Sequence, residues 1–400
     1  MTKYPCALES PEGFPVYQIL TPRQKNPFPQ GEVLQLKELY PKIFQGHRGP
    51  ARNYYGKMFA RLDEFNRHVT QADNKLASDI AKSKKYLLDD VPENELPAGM
   101  GAALNRYALA DSLAIRFQGW LFAAQVLLHA FTFVGFLFFV LFIHLFSHNL
   151  NFLAFSVLVS ATVVILKVGF DKKAWNTRHE DYRAMAEGLR VKFFWKLTGS
   201  RETIAAHYLG RQRSELDWIR NGFRGWNVEE SREGHGEPEP TGIEDQRNRL
   251  AFARKYWIDD QQKYFARAAE RNHKYHERFE HLGQACMIGV VTLAIALFFP
   301  SVRGEEFVLG VVAIALEAFL AAAALLHHLN NRLGYAEHAK QYNRMATLFA
   351  RGSELLGNFL DREDWVNAKN CVRKVGIEAL TENGDWVLLR RERPLEVPHP

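Results

Sequence analysis

The chain has 400 residues, 47% of them hydrophobic, and 51 Lys and Arg against 45 Asp and Glu give it a net charge of +6. So small an excess demands no nucleic-acid partner, and the dispersed cysteines Cys6, Cys286 and Cys371 form no CxxC pair, which excludes a disulfide framework or a cysteine zinc site. The apolar residues gather into four long stretches, which points to an integral membrane protein in a reducing cell.

Residues 1–56 are rich in Pro and Gly and read as a loosely structured arm, with no apolar run behind Met1 to serve as a cleavable signal. From Tyr54 to Leu88 apolar side chains recur at helical spacing (Met58, Phe59, Leu62, Phe65), and a turn is expected over Asp90 to Pro97. Ala102 to Gln118 is helical and runs into the first apolar stretch, 120–146, which contains no Asp, Glu, Lys or Arg. At about 1.5 Å per residue it crosses a ~30 Å hydrocarbon core with length to spare. The second stretch, 152–170, carries Lys167 near its end, where a long side chain can snorkel.

Asp171 to Leu197 is expected as a single helix leaving the membrane, with Tyr182, Met185 and Leu189 on its apolar stripe, and Thr203 to Trp226 as another. An acidic linker with Gly and Pro, 227–242, precedes a long charged helix from Ile243 to His281. That helix enters the third stretch, 282–300. The fourth, 307–326, carries one acid, Glu317, near its middle and continues outward through Asn330 to Leu360.

The short connections Ser147 to Asn151 and Ser301 to Glu306 hold one Arg between them. The opposite ends of the stretches carry Arg106, Arg116, Lys172, Lys173, Lys274 and Arg332. The positive-inside rule therefore puts both tight loops outside and both chain ends in the cytoplasm, with Trp120 and Trp175 at the interface. The expected fold is all-α: four transmembrane helices as two hairpins with long cytoplasmic extensions. An offset of 160 positions lays the second hairpin on the first and pairs Thr132 with Thr292, Tyr182 with Tyr342 and Met185 with Met345. Repeated order more than identity marks a tandem pseudo-repeat, 57–226 and 243–395, parallel rather than inverted.

No phosphate-binding Gly loop, HExxH or nucleophile elbow occurs, so neither an enzyme nor a cofactor is expected. His179-Glu180-Asp181 could suggest a metal, but adjacent residues point to different faces, and a solvated helix is expected there. Glu317 is the most informative residue, because an acid at bilayer depth must be protonated, paired or in contact with water. Gln125, His129 and Thr132 on one face of the first span offer it partners, and Ser156, Ser160 and Lys167 give the second span a polar seam. Such seams either line a gated path or hold helices together.

The run Trp257-Ile-Asp-Asp-Gln261-Gln-Lys-Tyr264, followed by a hairpin and closing on Gly376-Ile-Glu378 to Trp386, resembles a SLATT domain. The first half resembles a related repeat, through Arg106 to Gln118, His179 to Arg190 with Tyr182, and Arg211 to Arg220; Tyr342 is the second copy's counterpart of Tyr182. The family consists of membrane effectors associated with nucleotidyltransferases and nucleotide sensors. The resemblance implies a bacterial conflict or antiviral effector of the inner membrane, working as an oligomeric pore or membrane-disrupting protein on a nucleotide signal or a separate sensor. The alternative is a membrane-anchored scaffold or adaptor. The implied partners are lipid, further copies of the chain and a nucleotide-sensing protein.

Overall fold

A computed structural model describes residues 2–9, 15–20, 48–71, 74–89, 91–92, 95–97, 99–200, 202–207, 216–232, 240 and 242–391. Two short strands, β1 (Thr2–Glu9) and β2 (Pro15–Leu20), pair antiparallel with Thr2 opposite Leu20. The remainder of the described chain is helical or turn. The expected loose arm therefore contains a hairpin, and helix α1 (Arg48–Thr70) begins before residue 56. The single amphipathic helix expected over Tyr54 to Leu88 is two, α1 and α2 (Asn74–Leu88).

Four helices are long and apolar enough to cross a membrane. Helix α3 (Met100–His144) runs without interruption from the buried part of the molecule into the first apolar stretch. Helix α4 (Leu150–Lys173) starts at Asn149, whose side chain accepts a hydrogen bond from the Asn151 amide at 3.1 Å, an N-cap that ends the tight turn. Helix α5 (Trp175–Leu197) follows α4 after a break, where one continuous helix was expected. Ala174 lies in the left-handed region, φ 46°, and turns the chain there. The helix expected over Thr203 to Trp226 appears as a short turn, α6 (Ile204–His207), and α7 (Asp217–Arg232), with 208–215 outside the described residues.

The second half follows the same order. Helix α8 (Ile243–Ala253) passes through a π-helical segment, Arg254–Asp259, into α9 (Asp260–Ala296). A short α10 (Pro300–Arg303) leads to α11 (Glu306–Leu333), and Gly334 at φ 64° separates it from α12 (Tyr335–Asp361). Asp364 caps the last helix, α13 (Trp365–Arg391), through the Asn367 amide at 3.2 Å. Helix α3 packs on α4 and α5, and α9 packs on α11 and α12. The two left-handed breaks, Ala174 and Gly334, stand 160 positions apart, the offset seen in the sequence. Local hydrogen bonds repeat at that offset as well. Ser112 to the Ala108 carbonyl (2.7 Å) matches Asn272 to Ala268 (2.7 Å), and Thr132 to Leu128 (2.8 Å) matches Thr292 to Ile288 (2.8 Å).

The main core lies away from the apolar stretches, where Leu104 and Tyr107 of α3 meet Met185, Leu189 and Phe193 of α5. Each such large side chain contributes about 1.5–3 kcal/mol when fully buried. Among the described residues the two largest contacts between the halves are α13 crossing onto α5 and α11 packing along α3. In the first, the Trp195 indole donates to the Val372 carbonyl at 3.4 Å, and it lies where a methyl on Gly376 would have to sit. Along the apolar stretches Ile165, Ile288 and Phe307 remain 67–70% exposed, an unusual state for large apolar side chains.

Candidate functional site

Two places bring the sequence-selected residues together, one along the apolar stretches and one among the extensions. Along the apolar stretches α3 and α11 run antiparallel, with His129 beside His328 (ring centroids 5.4 Å apart) and His144 beside Gly310. A Cβ on Gly310 would lie 3.0 Å from the His144 carbonyl oxygen, so glycine permits this approach. Side chains of a helix lean toward its N-terminus, so in an antiparallel pair His144 and Glu317 reach toward each other. Nε2 of His144 lies 3.0 Å from Oε1 of Glu317, and the two side chains remain 25% and 38% exposed.

Glu317 thus meets His144 instead of the candidates Gln125, His129 or Thr132. The Nδ1 of His129 lies 2.8 Å from the backbone carbonyl of Gln125, and Thr132 donates to Leu128 within its own helix. His129 is only 7% exposed, and its Nε2 has no hydrogen-bond partner among the described residues. Ser156 donates to the Gly135 carbonyl at 2.8 Å, and Ser160 faces the same glycine, so these serines fasten α4 to α3. Gly310, Glu317 and His328, at helical spacing on α11, all meet α3.

The extensions hold a charged network that sequence reasoning missed. Arg190, 2% exposed, donates to Glu187 (2.9 Å), Gln261 (2.9 Å) and the Tyr107 hydroxyl (2.8 Å). Arg183 reaches Glu187 at 2.6 Å and Asp111 at 3.4 Å, and Asp111 accepts from Ser83 at 2.9 Å. Burial pushes the Tyr107 phenol well up despite the opposing Arg190 charge, and pushes Tyr86 up to about 12. The signal was present: Arg183, Glu187 and Arg190 stand at helical i, i+4 and i+7, one face of α5.

His179, Glu180 and Asp181 are all buried, not on a solvated helix as expected, because α5 is enclosed by neighbours. Asp181 accepts from Arg61 at 2.6 Å and Trp218 at 3.1 Å, and His179 lies 3.0 Å from the Ala114 carbonyl. No group of metal-ligating side chains occurs among the described residues.

Next to the charged network a half-open cleft with about 60 Å³ of free space separates α5 from α9, α12 and α13. Four motif positions, Trp257, Gln261, Tyr342 and Trp386, line it together. Trp257 comes from the π-helical segment, whose wider turn is a frequent companion of functional sites. Phe194 of the first half stacks on Trp257 at 5.1 Å. Of the other motif positions, Tyr264 contacts Tyr86 at 6.3 Å, Glu378 is exposed on α13, and Tyr182 lies elsewhere, 2.7 Å from Nδ1 of His68. Residues 211–215 of the first-half motif fall outside the described residues.

No family model matches the chain, and neither a curated protein nor a solved structure is similar to it.

Proposed function

We propose that the chain is a multi-pass membrane protein of the inner membrane built as a tandem repeat of two hairpins, with tight loops outside and termini in the cytoplasm, and that it acts as a regulated oligomeric pore or membrane-disrupting effector. The matching breaks at Ala174 and Gly334 and the shared packing order support the repeat. The SLATT resemblance supplies the conflict-system role and a nucleotide signal or separate sensor as trigger.

The observation that carries the pore reading is the His144–Glu317 contact. It joins the two hairpins at membrane depth, and neither side chain is fully covered by its own chain. Lipid is a poor solvent for such a pair, so the uncovered part calls for water or another copy of the chain. Among the described residues the contacts between α13 and α5 and between α11 and α3 are the largest between the halves. A trigger that loosens the first in the cytoplasm is thereby positioned to loosen the second in the membrane. Converting a 1:99 population to 99:1 needs about 5.5 kcal/mol of preference for the open state.

Ion flux from liposomes containing the folded chain tests this. Flux that appears with an activating signal and changes with Glu317→Gln supports a pore. A silent, folded, oligomeric chain under every signal tried contradicts it. The second reading, an anchored scaffold, draws support from Thr132, Ser156 and His129, which bond within the α3–α4 pair instead of facing an opening. A scaffold predicts that Glu317→Gln leaves partner recruitment unchanged.

A further inference from the structure

We infer that the cleft between α5, α9, α12 and α13 is a binding site for a small aliphatic amine, its ammonium held at Glu382 and its hydrocarbon arm against the aromatic wall. The wall consists of Trp257, Phe265, Tyr342, Phe349 and Trp386. Phe265 lies 5.7 Å from both Tyr342 and Phe349, so the rings form a continuous surface. Aromatic faces carry negative charge density and attract cations, more strongly where water is excluded.

The charges of the lining separate in the same sense. The arginine that lines the cleft, Arg183, is already engaged by Glu187 and Asp111, and Arg190, further along the same helix, by Glu187, Gln261 and Tyr107. They are poorly placed to take an anionic ligand. Glu382 on the opposite wall has Gln341 as hydrogen-bond partner and the field of Arg344 in its favour, against the charges of Asp385 and Glu378. Partial burial is the largest influence on it and holds its carboxyl above the usual range, a carboxylate short of positive charge. An ammonium supplies that charge. Gln261 and Asn383 add polar groups at the same lining. Free space of about 60 Å³ suits only a small molecule such as a short-chain amine, and its place between the halves lets occupancy act on their contact. Amine binding there does not depend on whether the chain conducts ions.

The test uses the full chain in a neutral detergent and ligand-observed NMR titration with n-butylamine, n-butanol and butyrate. Butylamine is expected to bind at least tenfold more tightly than either isostere. Glu382→Gln, which keeps the side-chain shape, should weaken the amine at least tenfold, and Ala379→Leu, which fills the cleft, should block it. Glu354→Gln, at an exposed position on α12, should leave it unchanged. Unchanged helix content in each variant separates loss of the site from loss of the fold. Absence of butylamine binding to the folded chain, equal or tighter binding of butyrate or butanol, or full affinity retained in both cleft variants would overturn the inference.

Discussion

Single residues decide how the two halves meet. Gly376 leaves room for the Trp195 indole, which is 1% exposed and cannot move without opening the core. Gly376→Ala should therefore destabilise the chain by about 1–3 kcal/mol through overpacking, read as a lower melting midpoint in detergent. An unchanged midpoint would mean that α13 does not seat on α5 in this way. His68 offers a pH-dependent check. Burial foremost, with the Arg178 charge, lowers its pKa, while an unfolded imidazole titrates near about 6.5. Between those values the unfolded chain binds more protons, so the stability His68 contributes is present above about 6.5 and is lost as the pH falls below it. His68→Gln should flatten the melting profile over that interval, and an identical profile would contradict the assignment. Glu317 shows what sequence could and could not give at this scale. An acid inside an apolar stretch announced a partner, but the choice of His144 depends on the antiparallel register of α3 and α11, which is set by Gly310.

Helix identity was far more legible than helix ends. The four apolar stretches and their charged flanks lie in the sequence, and the structure gives four helices long enough to cross a membrane. The breaks at Ala174 and Gly334 were not legible, because alanine carries no turn preference and a single glycine within a helical pattern is common. They make a paired prediction. At a left-handed position glycine removes a cost of about 1–2 kcal/mol, partly offset by its greater freedom when unfolded. Ala174→Gly should raise the melting midpoint and Gly334→Ala should lower it. Effects of the same sign would show that the two exits are not equivalent. The charged face of α5 was legible in its spacing but was read as solvated, since nothing local reveals that α1, α3 and α13 cover it. The π-helical segment likewise left no mark in the sequence, although Trp257 and Gln261 stood out through their resemblance to a family motif. Gly310→Val belongs to this scale too. It should push α11 from α3 and weaken the His144–Glu317 contact, seen as a lower yield of a crosslink between cysteines placed at the two positions, and an unchanged yield would contradict the close approach.

In the whole molecule a buried helical body and the apolar stretches share the same continuous helices. Helix α3 carries Tyr107 in the buried network at one end and His144 at the other, so a movement of the network is transmitted along one rod. That arrangement is useful only if lipid surrounds the hairpins and water surrounds the extensions. The direct measurement replaces Cys6, Cys286 and Cys371 by Ser, introduces one cysteine at a time in place of the exposed residues His148, Ser301 or Glu354, and applies a membrane-impermeant maleimide to sealed right-side-out vesicles. The expected result is labelling at 148 and 301 without detergent, and at 354 only after the vesicles are opened. Labelling at 354 in sealed vesicles, or chain that washes from the membrane in salt and alkali, would contradict the account.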